Sequence, residues 1–356
     1  MPLHVATESW PYKVPFRVSR GAEVALEVVV VTLVDSQGRV GRGEAAGVDY
    51  DGETIASLCA QIEAVRERVE RALEGDVTVT ADGRATADAR VAAGRGDTAD
   101  AGHGYPDLAT WLPAGGARNA LDCALWDLAA KQRRTTVWEL ARLPNPRRLT
   151  TSMTLGIDSD AAVAAGARRY ADWPLLKVKV DGERHVEVVR LVHGICPAAR
   201  IIVDPNQAWS CDLLNQLAPE MQSLGVVLIE QPVPRGEDES LRAYSGAIRL
   251  AADESVSDRA ALAKVKDLYQ VVNVKLDKTG GLTEALALAR DARGLGLKVM
   301  VGCMAGTSLA MAPGMVVGQL AEFVDLDGPL LHAADREQGI AYDRGLMQLP
   351  STALWG

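Results

Sequence analysis

Three carboxylates and two lysines recur along the middle of this 356-residue chain at intervals that make a proton-transfer site. They stand in Leu175-Leu-Lys177-Val-Lys179-Val, Ile201-Ile-Val-Asp204-Pro-Asn206, Val226-Val-Leu-Ile-Glu230-Gln-Pro, Leu250-Ala-Ala-Asp253-Glu254-Ser and Val272-Asn-Val-Lys275-Leu-Asp277-Lys278. Starting from Lys179, the next positions follow after 25, 26, 23 and 22 residues. Each ends a short apolar run, and a charge belongs at such a tip because an unpaired charge inside a core is expensive. Asp204, Glu230 and Asp253, with no His or Cys beside them, make an all-oxygen donor set that suits Mg²⁺ or Mn²⁺. Such an ion can bind a substrate carboxylate and stabilise the dianion formed when the α-proton leaves. Lysine can be the base once its pKa falls toward neutrality, and a second positive charge two residues away, Lys177, works in that direction. Two bases on opposite faces of one carbon imply inversion.

The intervals also predict the elements that hold these groups. A strand followed by a helix, repeated, accounts for the spacing. Extending it gives eight strands, beginning near 150, 175, 200, 226, 249, 271, 298 and 323, with helical patterning between them, as over 260–268 and 283–293. This is an α/β fold of the (β/α)8 barrel type, whose chemistry lies at the C-terminal strand ends. Strand 2 then faces strand 6, so Lys179 and Lys275 oppose each other over the mouth. Asp204, Glu230 and Asp253 occupy the arc between them. Strand 8 carries Asp325 and Asp327 opposite strand 4. One charged strand end is ordinary, and Asp253-Glu254-Ser255 alone could simply start a helix. Five such groups on five successive strands read as one functional cleft.

The motifs Lys-x-Lys, Asp-x-Asn, Glu-Gln-Pro, Asp-Glu-Ser and Asn-Val-Lys-Leu-Asp-Lys-Thr-Gly-Gly resemble the enolase superfamily, muconate lactonizing enzyme subgroup. Asp325-Leu-Asp327-Gly-Pro, the stretch 116–130 and the run 272–287 resemble the dipeptide epimerases within it, of the L-Ala-D/L-Glu type. The resemblance implies an enolase-like modified barrel with an α+β capping domain, and a Mg²⁺-dependent isomerase that inverts the second residue of a dipeptide. It implies that Lys179 and Lys275 are the acid/base pair and that Asp204, Glu230 and Asp253 hold the metal. Lys177 would contact the substrate carboxylate, and Asp325 and Asp327 would hold the dipeptide's ammonium group through charge-assisted hydrogen bonds. Asn206 and Asp277 fall with the substrate-binding set. Arg20, in the cap, matches the position that meets the side-chain carboxylate in glutamate-specific relatives. The acidic loop Val48-Asp49-Tyr50-Asp51-Gly52 departs from that basic character and leaves room for a neutral or cationic second residue. Other reactions stay open on this scaffold: racemisation of N-acylamino acids, o-succinylbenzoate synthesis and muconate cycloisomerisation. A binding protein without catalysis is the remote alternative, opposed by the retention of both lysines and all three carboxylates.

The organisation expected is a cap over 1–115, a catalytic barrel over 116–332 and a segment over 333–356 returning to the cap. Within the cap, 25–34 reads as a strand and 54–73 as a helix. A stretch from about 75 to 105, rich in Ala, Gly, Asp, Thr and Arg, reads as a loose insertion. Residues 117–131 form an amphipathic helix for core packing, and Thr279-Gly280-Gly281 is a tight turn. A net charge of −9 argues against nucleic acid and anionic membranes as partners. Five scattered cysteines and no visible signal peptide or membrane span fit a reduced cytoplasm. Barrels of this kind often self-associate, so a homo-oligomer is expected.

Overall fold

The computed structural model describes residues 2–18, 21–74 and 104–356. Eight parallel strands follow one another in sequence order around a single sheet: β5 (Met153–Leu155), β6 (Leu175–Lys179), β7 (Arg200–Asp204), β8 (Val226–Glu230), β9 (Arg249–Ala252), β10 (Val271–Lys275), β11 (Lys298–Gly302) and β12 (Phe323–Val324). The last strand meets the first through Ser152 N–H, which donates to Val324 O at 2.8 Å. The predicted first strand proves to be two. β4 (Leu149–Thr150) leaves the barrel and pairs antiparallel with β14 (Leu346–Met347), itself paired with β13 (Tyr342–Asp343). Only β5 carries on into the barrel.

Inside the barrel, Leu175, Ile202, Leu228, Ala251, Val271, Met300 and Phe323 pack into one apolar layer. Lys177, Asp204, Glu230, Asp253 and Asp325 each lie two residues beyond a member of that layer. Side chains on a strand alternate faces, so the same register that buries the layer aims these charged groups into the mouth above it.

The cap sheet is β1 (Leu3–Val18), β2 (Gly21–Val34) and β3 (Val40–Ala45), all antiparallel. In β2, Val29, Val31 and Leu33 pack into one cluster with the helix α1 (Ile55–Glu74), while Leu26, Val28 and Val30 pack into the barrel cluster. Burial on both faces explains a run of β-branched residues without alternation. The second long helix, α2 (Gly116–Arg133), is buried nearly all round because it lies between cap sheet and barrel. Its polar residues each have a specific partner there. Arg118 donates to Thr279 O and Gly280 O, Asp122 accepts from Thr283 N and Oγ1, and Asp127 accepts from the amides of Arg42 and Gly356. The strand β3 reaches α2 backbone to backbone. A Cβ on Gly43 would overlap Ala120 O, and one on Gly41 would overlap Ala124 O. Gly43→Ala is therefore expected to destabilise the protein by about 1–3 kcal/mol. Urea denaturation would measure it, and a loss below about 0.5 kcal/mol would show that the helix can shift away.

Most of the stretch read as an insertion lies outside the described residues. Its last residue, Tyr105, donates to Gln132 Oε1 at 2.5 Å and so ties the segment to α2. All five cysteines are free thiols, and no helix among the described residues is long and apolar enough to cross a membrane.

Candidate active site

A cavity of about 680 Å³ opens at the C-terminal ends of the strands, between barrel and cap. Lys177, Lys179, Asp253, Lys275, Asp325 and Asp327 line its barrel side. Lys179 and Lys275 stand on β6 and β10, four strands apart in an eight-stranded ring. Lys179 Nζ bonds Asp204 Oδ2 (2.6 Å) and Asn206 Oδ1 (2.8 Å), whereas Lys275 Nζ bonds Asp253 Oδ2 (2.7 Å). Each lysine is thus held by a different carboxylate.

Lys177 is the charge at the centre. Its Nζ lies 3.1 Å from Asp204, 2.8 Å from Glu230 and 2.9 Å from Asp325. Burial opposes its charge, but Asp325, Glu230 and Asp204 outweigh that and hold the ammonium well above the usual lysine range. Burial likewise pushes Asp204 up, and Lys179 and Lys177 outweigh it, bringing the carboxyl down to about 2. Glu230 goes the other way. It is fully buried and raised to about 8, mainly by desolvation, with Asp204 and Asp253 adding repulsion. Its Oε1 accepts from Asn273 Nδ2 at 2.8 Å, but Oε2 makes no hydrogen bond of proper geometry.

These observations test the site against a hard divalent ion. The donors of Asp204, Glu230 and Asp253 are carboxylate oxygens, all at most 1% exposed, and burial holds Glu230 toward its neutral form, which a cation beside it would reverse. Both features fit Mg²⁺ or Mn²⁺. In the structure the carboxylates pair with lysine ammonium groups. Among the described residues, no three His, Cys or acidic side chains converge on one metal-binding point.

Across the mouth, Asp325 Oδ1 accepts from Ser152 Oγ (2.6 Å) and Asp327 Oδ2 from Thr154 N–H (2.6 Å). Both bonds run to β5 and the residue before it. Burial and then the repulsion of Asp325 raise Asp327 to about 7. Cys303 lines the cavity beside them, and burial, with Asp325 and Asp327, pushes its thiol up to about 12.

One expected residue falls elsewhere, and another lies outside the described residues. Asp277 does not line the cavity. It is buried, accepts Gly47 N–H at 3.0 Å and so joins the barrel to the cap loop; desolvation raises it to about 7. Arg20 lies outside the described residues. Asn206 does reach the cavity, through its bond to Lys179.

Three contributors escaped the sequence reading. Lys278, 4% exposed, donates to Asp253 Oδ1 (2.6 Å), Asp253 O (2.5 Å) and Asn273 O (3.0 Å). Gln231 Oε1 accepts the amides of Asp253 and Ser255. Glu254 lines the cavity and is 4% exposed. All three sit inside the quoted motifs, and the signal was their adjacency to a candidate ligand. A short helix at Leu276–Thr279 folds Lys278 back under the strand, which spacing alone does not predict.

Comparison with known proteins agrees with this architecture. Residues 1–141 match the N-terminal domain of the mandelate racemase/muconate lactonizing enzyme family, and residues 160–353 match the enolase C-terminal domain-like family. The chain is 36% identical over 349 residues, 98% of its length and 99% of the relative's, to the L-Ala-D/L-Glu epimerase of Escherichia coli K12. It is 43% identical over 250 residues, 70% of its length and 79% of the relative's, to an N-acetyl-D-glutamate racemase of Pseudoalteromonas. A crystal structure of an enolase family member from Agrobacterium tumefaciens, with bound sodium and L-Ala-L-Glu, superposes with a TM-score of 0.86 at 36% identity, covering 99% of both chains. The dipeptide epimerase of Methylococcus capsulatus, complexed with Mg and L-Arg-D-Lys, superposes at 0.83 with 29% identity, covering 98% of this chain and 96% of its own. Matched over both halves and along nearly its whole length, the chain belongs to the mandelate racemase/muconate lactonizing enzyme family of the enolase superfamily.

Proposed function

We propose that this protein is a Mg²⁺-dependent dipeptide epimerase that inverts the α-carbon of the second residue by two-base proton transfer. The observation that carries the reading is the pair of lysines, Lys179 and Lys275, on strands opposite each other across a cavity that Asp325 and Asp327 also line. Asp204, Glu230 and Asp253 would hold the ion, and the ion, when bound, would fix the substrate carboxylate and stabilise negative charge at the carbon acid. Lys179 and Lys275 then act on opposite faces of the carbon, one removing the proton and the other returning one. Lys177 balances the carboxylates between them. Asp325 and Asp327 offer two acceptors to the substrate ammonium group.

A second reading, racemisation of an N-acylamino acid, is favoured by the 43% identity to the N-acetyl-D-glutamate racemase. An N-acyl substrate has no ammonium group to give the strand 8 acid pair, which would leave Asp325 to Lys177 alone and offer Asp327 no cation from the substrate. The deciding experiment offers the protein dipeptides and N-acetylamino acids in D₂O with Mg²⁺, reading deuterium uptake by mass spectrometry and configuration by NMR. Dipeptides are expected to exchange and invert at the second residue. Activity should vanish with EDTA and return with Mg²⁺. Exchange of N-acetylamino acids without exchange of any dipeptide would overturn the proposal in favour of the second reading.

A further inference from the structure

The cavity carries an imbalance of charge that proton transfer does not need. Its lining holds eight acidic side chains and three basic ones. The three basic ones are the barrel lysines, already engaged by carboxylates. A divalent ion would leave the acids three charges in excess, and the terminal charges of a dipeptide cancel each other. The excess sits on the cap, which contributes Glu23, Glu27, Asp49 and Glu53 and, among the described residues, no Lys or Arg.

These acids differ in what they already do. Glu53 Oε2 accepts the amides of Val48 and Gly116 and serves the cap. Glu23 and Glu27 are exposed and lie four residues apart on β2, hence on one face of it. The Tyr12 phenol hydrogen-bonds Glu23 and steadies it at the cavity. An independent observation comes from the barrel side. Glu254 lines the same cavity, is 4% exposed, and its Oε2 meets no hydrogen-bond partner among the described residues. A buried carboxylate oxygen left unpaired carries its desolvation cost unrelieved, and a cationic donor would relieve it.

We infer that this acidic wall selects dipeptides whose second residue bears a cationic side chain, lysine or arginine. The inference rests on the epimerase reading and names its substrate class. A guanidinium or ammonium would meet fixed carboxylates there. A glutamate side chain would meet like charges there, which disfavours its binding.

The test measures kcat/KM with Mg²⁺ for L-Ala-L-Lys, L-Ala-L-Arg, L-Ala-L-Leu and L-Ala-L-Glu by exchange in D₂O. The basic dipeptides should exceed L-Ala-L-Glu by about a hundredfold, with L-Ala-L-Leu between them. The double variant Glu23→Lys/Glu27→Lys, changed at two exposed positions, should lower the basic dipeptides and raise L-Ala-L-Glu by at least about tenfold each. L-Ala-L-Glu turning over as fast as the basic dipeptides, or an unmoved preference in the double variant, would overturn the inference and leave the epimerase reading standing. Exchange of no dipeptide at all would overturn both.

Discussion

Lys179→Ala and Lys275→Ala should each abolish inversion, lowering epimerisation by about 10³–10⁴-fold, toward the upper end of what a positioned acid or base supplies. They should not abolish the same half of the reaction. A protein left with one base can still remove the proton from the stereoisomer that presents it to that base, and solvent deuterium returns on the same side. Each variant is therefore expected to exchange one diastereomer without inverting it, and the two variants opposite ones. Both should fold. Asp253 keeps Lys278 at 2.6 Å when Lys275 is removed, and Asp204 keeps Lys177 at 3.1 Å when Lys179 is removed. Exchange assays on both pure diastereomers settle the matter. Inversion above about a tenth of the wild-type rate in either variant, or exchange of the same diastereomer by both, would contradict the two-base mechanism.

Lys177→Met should cost stability rather than only activity. Its ammonium, 3% exposed, is the shared countercharge of Asp204, Glu230 and Asp325. Removing one partner of a buried ion pair leaves uncompensated charge and typically costs about 3–5 kcal/mol. Lys179→Met, at a side chain 13% exposed and paired to only one of these carboxylates, should cost clearly less. A divalent ion that binds the folded carboxylates offers a substitute countercharge, so Mg²⁺ should restore part of the loss by mass action. Urea denaturation with and without Mg²⁺ measures both effects. Equal losses in the two variants would show that Lys177 is not the central charge.

The barrel was readable because its rhythm is built into the apolar runs. Seven of the eight expected starts coincide with observed strands. The other, near 150, failed because Leu149–Thr150 is apolar enough to read as barrel while its pairing partner, Leu346–Met347, lies almost two hundred residues away. β1 went unread for a local reason. Pro11 and Pro15 interrupt its pattern, and the register with β2 shifts between Pro11 and Phe16, where a strand tolerates proline. At the site, residues that point straight off strand ends were legible. Those placed by a turn, such as Lys278, or by the fit of cap to barrel, such as Asp277 and the Glu23–Glu27 wall, were not, because period-2 alternation says nothing about how a loop returns.

The junction between β12 and β5 is sewn by one backbone–backbone bond, by Leu326 N–H donating to Thr151 Oγ1, and by Asp325 and Asp327, the carboxylates we propose meet the substrate. Recognition, as proposed, and closure of the ring thus draw on the same two carboxylates. Redesigning this enzyme for a substrate with no amino group would require more than deleting two charges, because each deletion also unfastens the barrel where it is least stitched. New acceptors for Ser152 and Thr154 would have to be installed first. The same economy makes the amide of Thr154 a natural reporter of occupancy, since a ligand that steadies Asp327 should slow its hydrogen exchange before it slows that of any other strand.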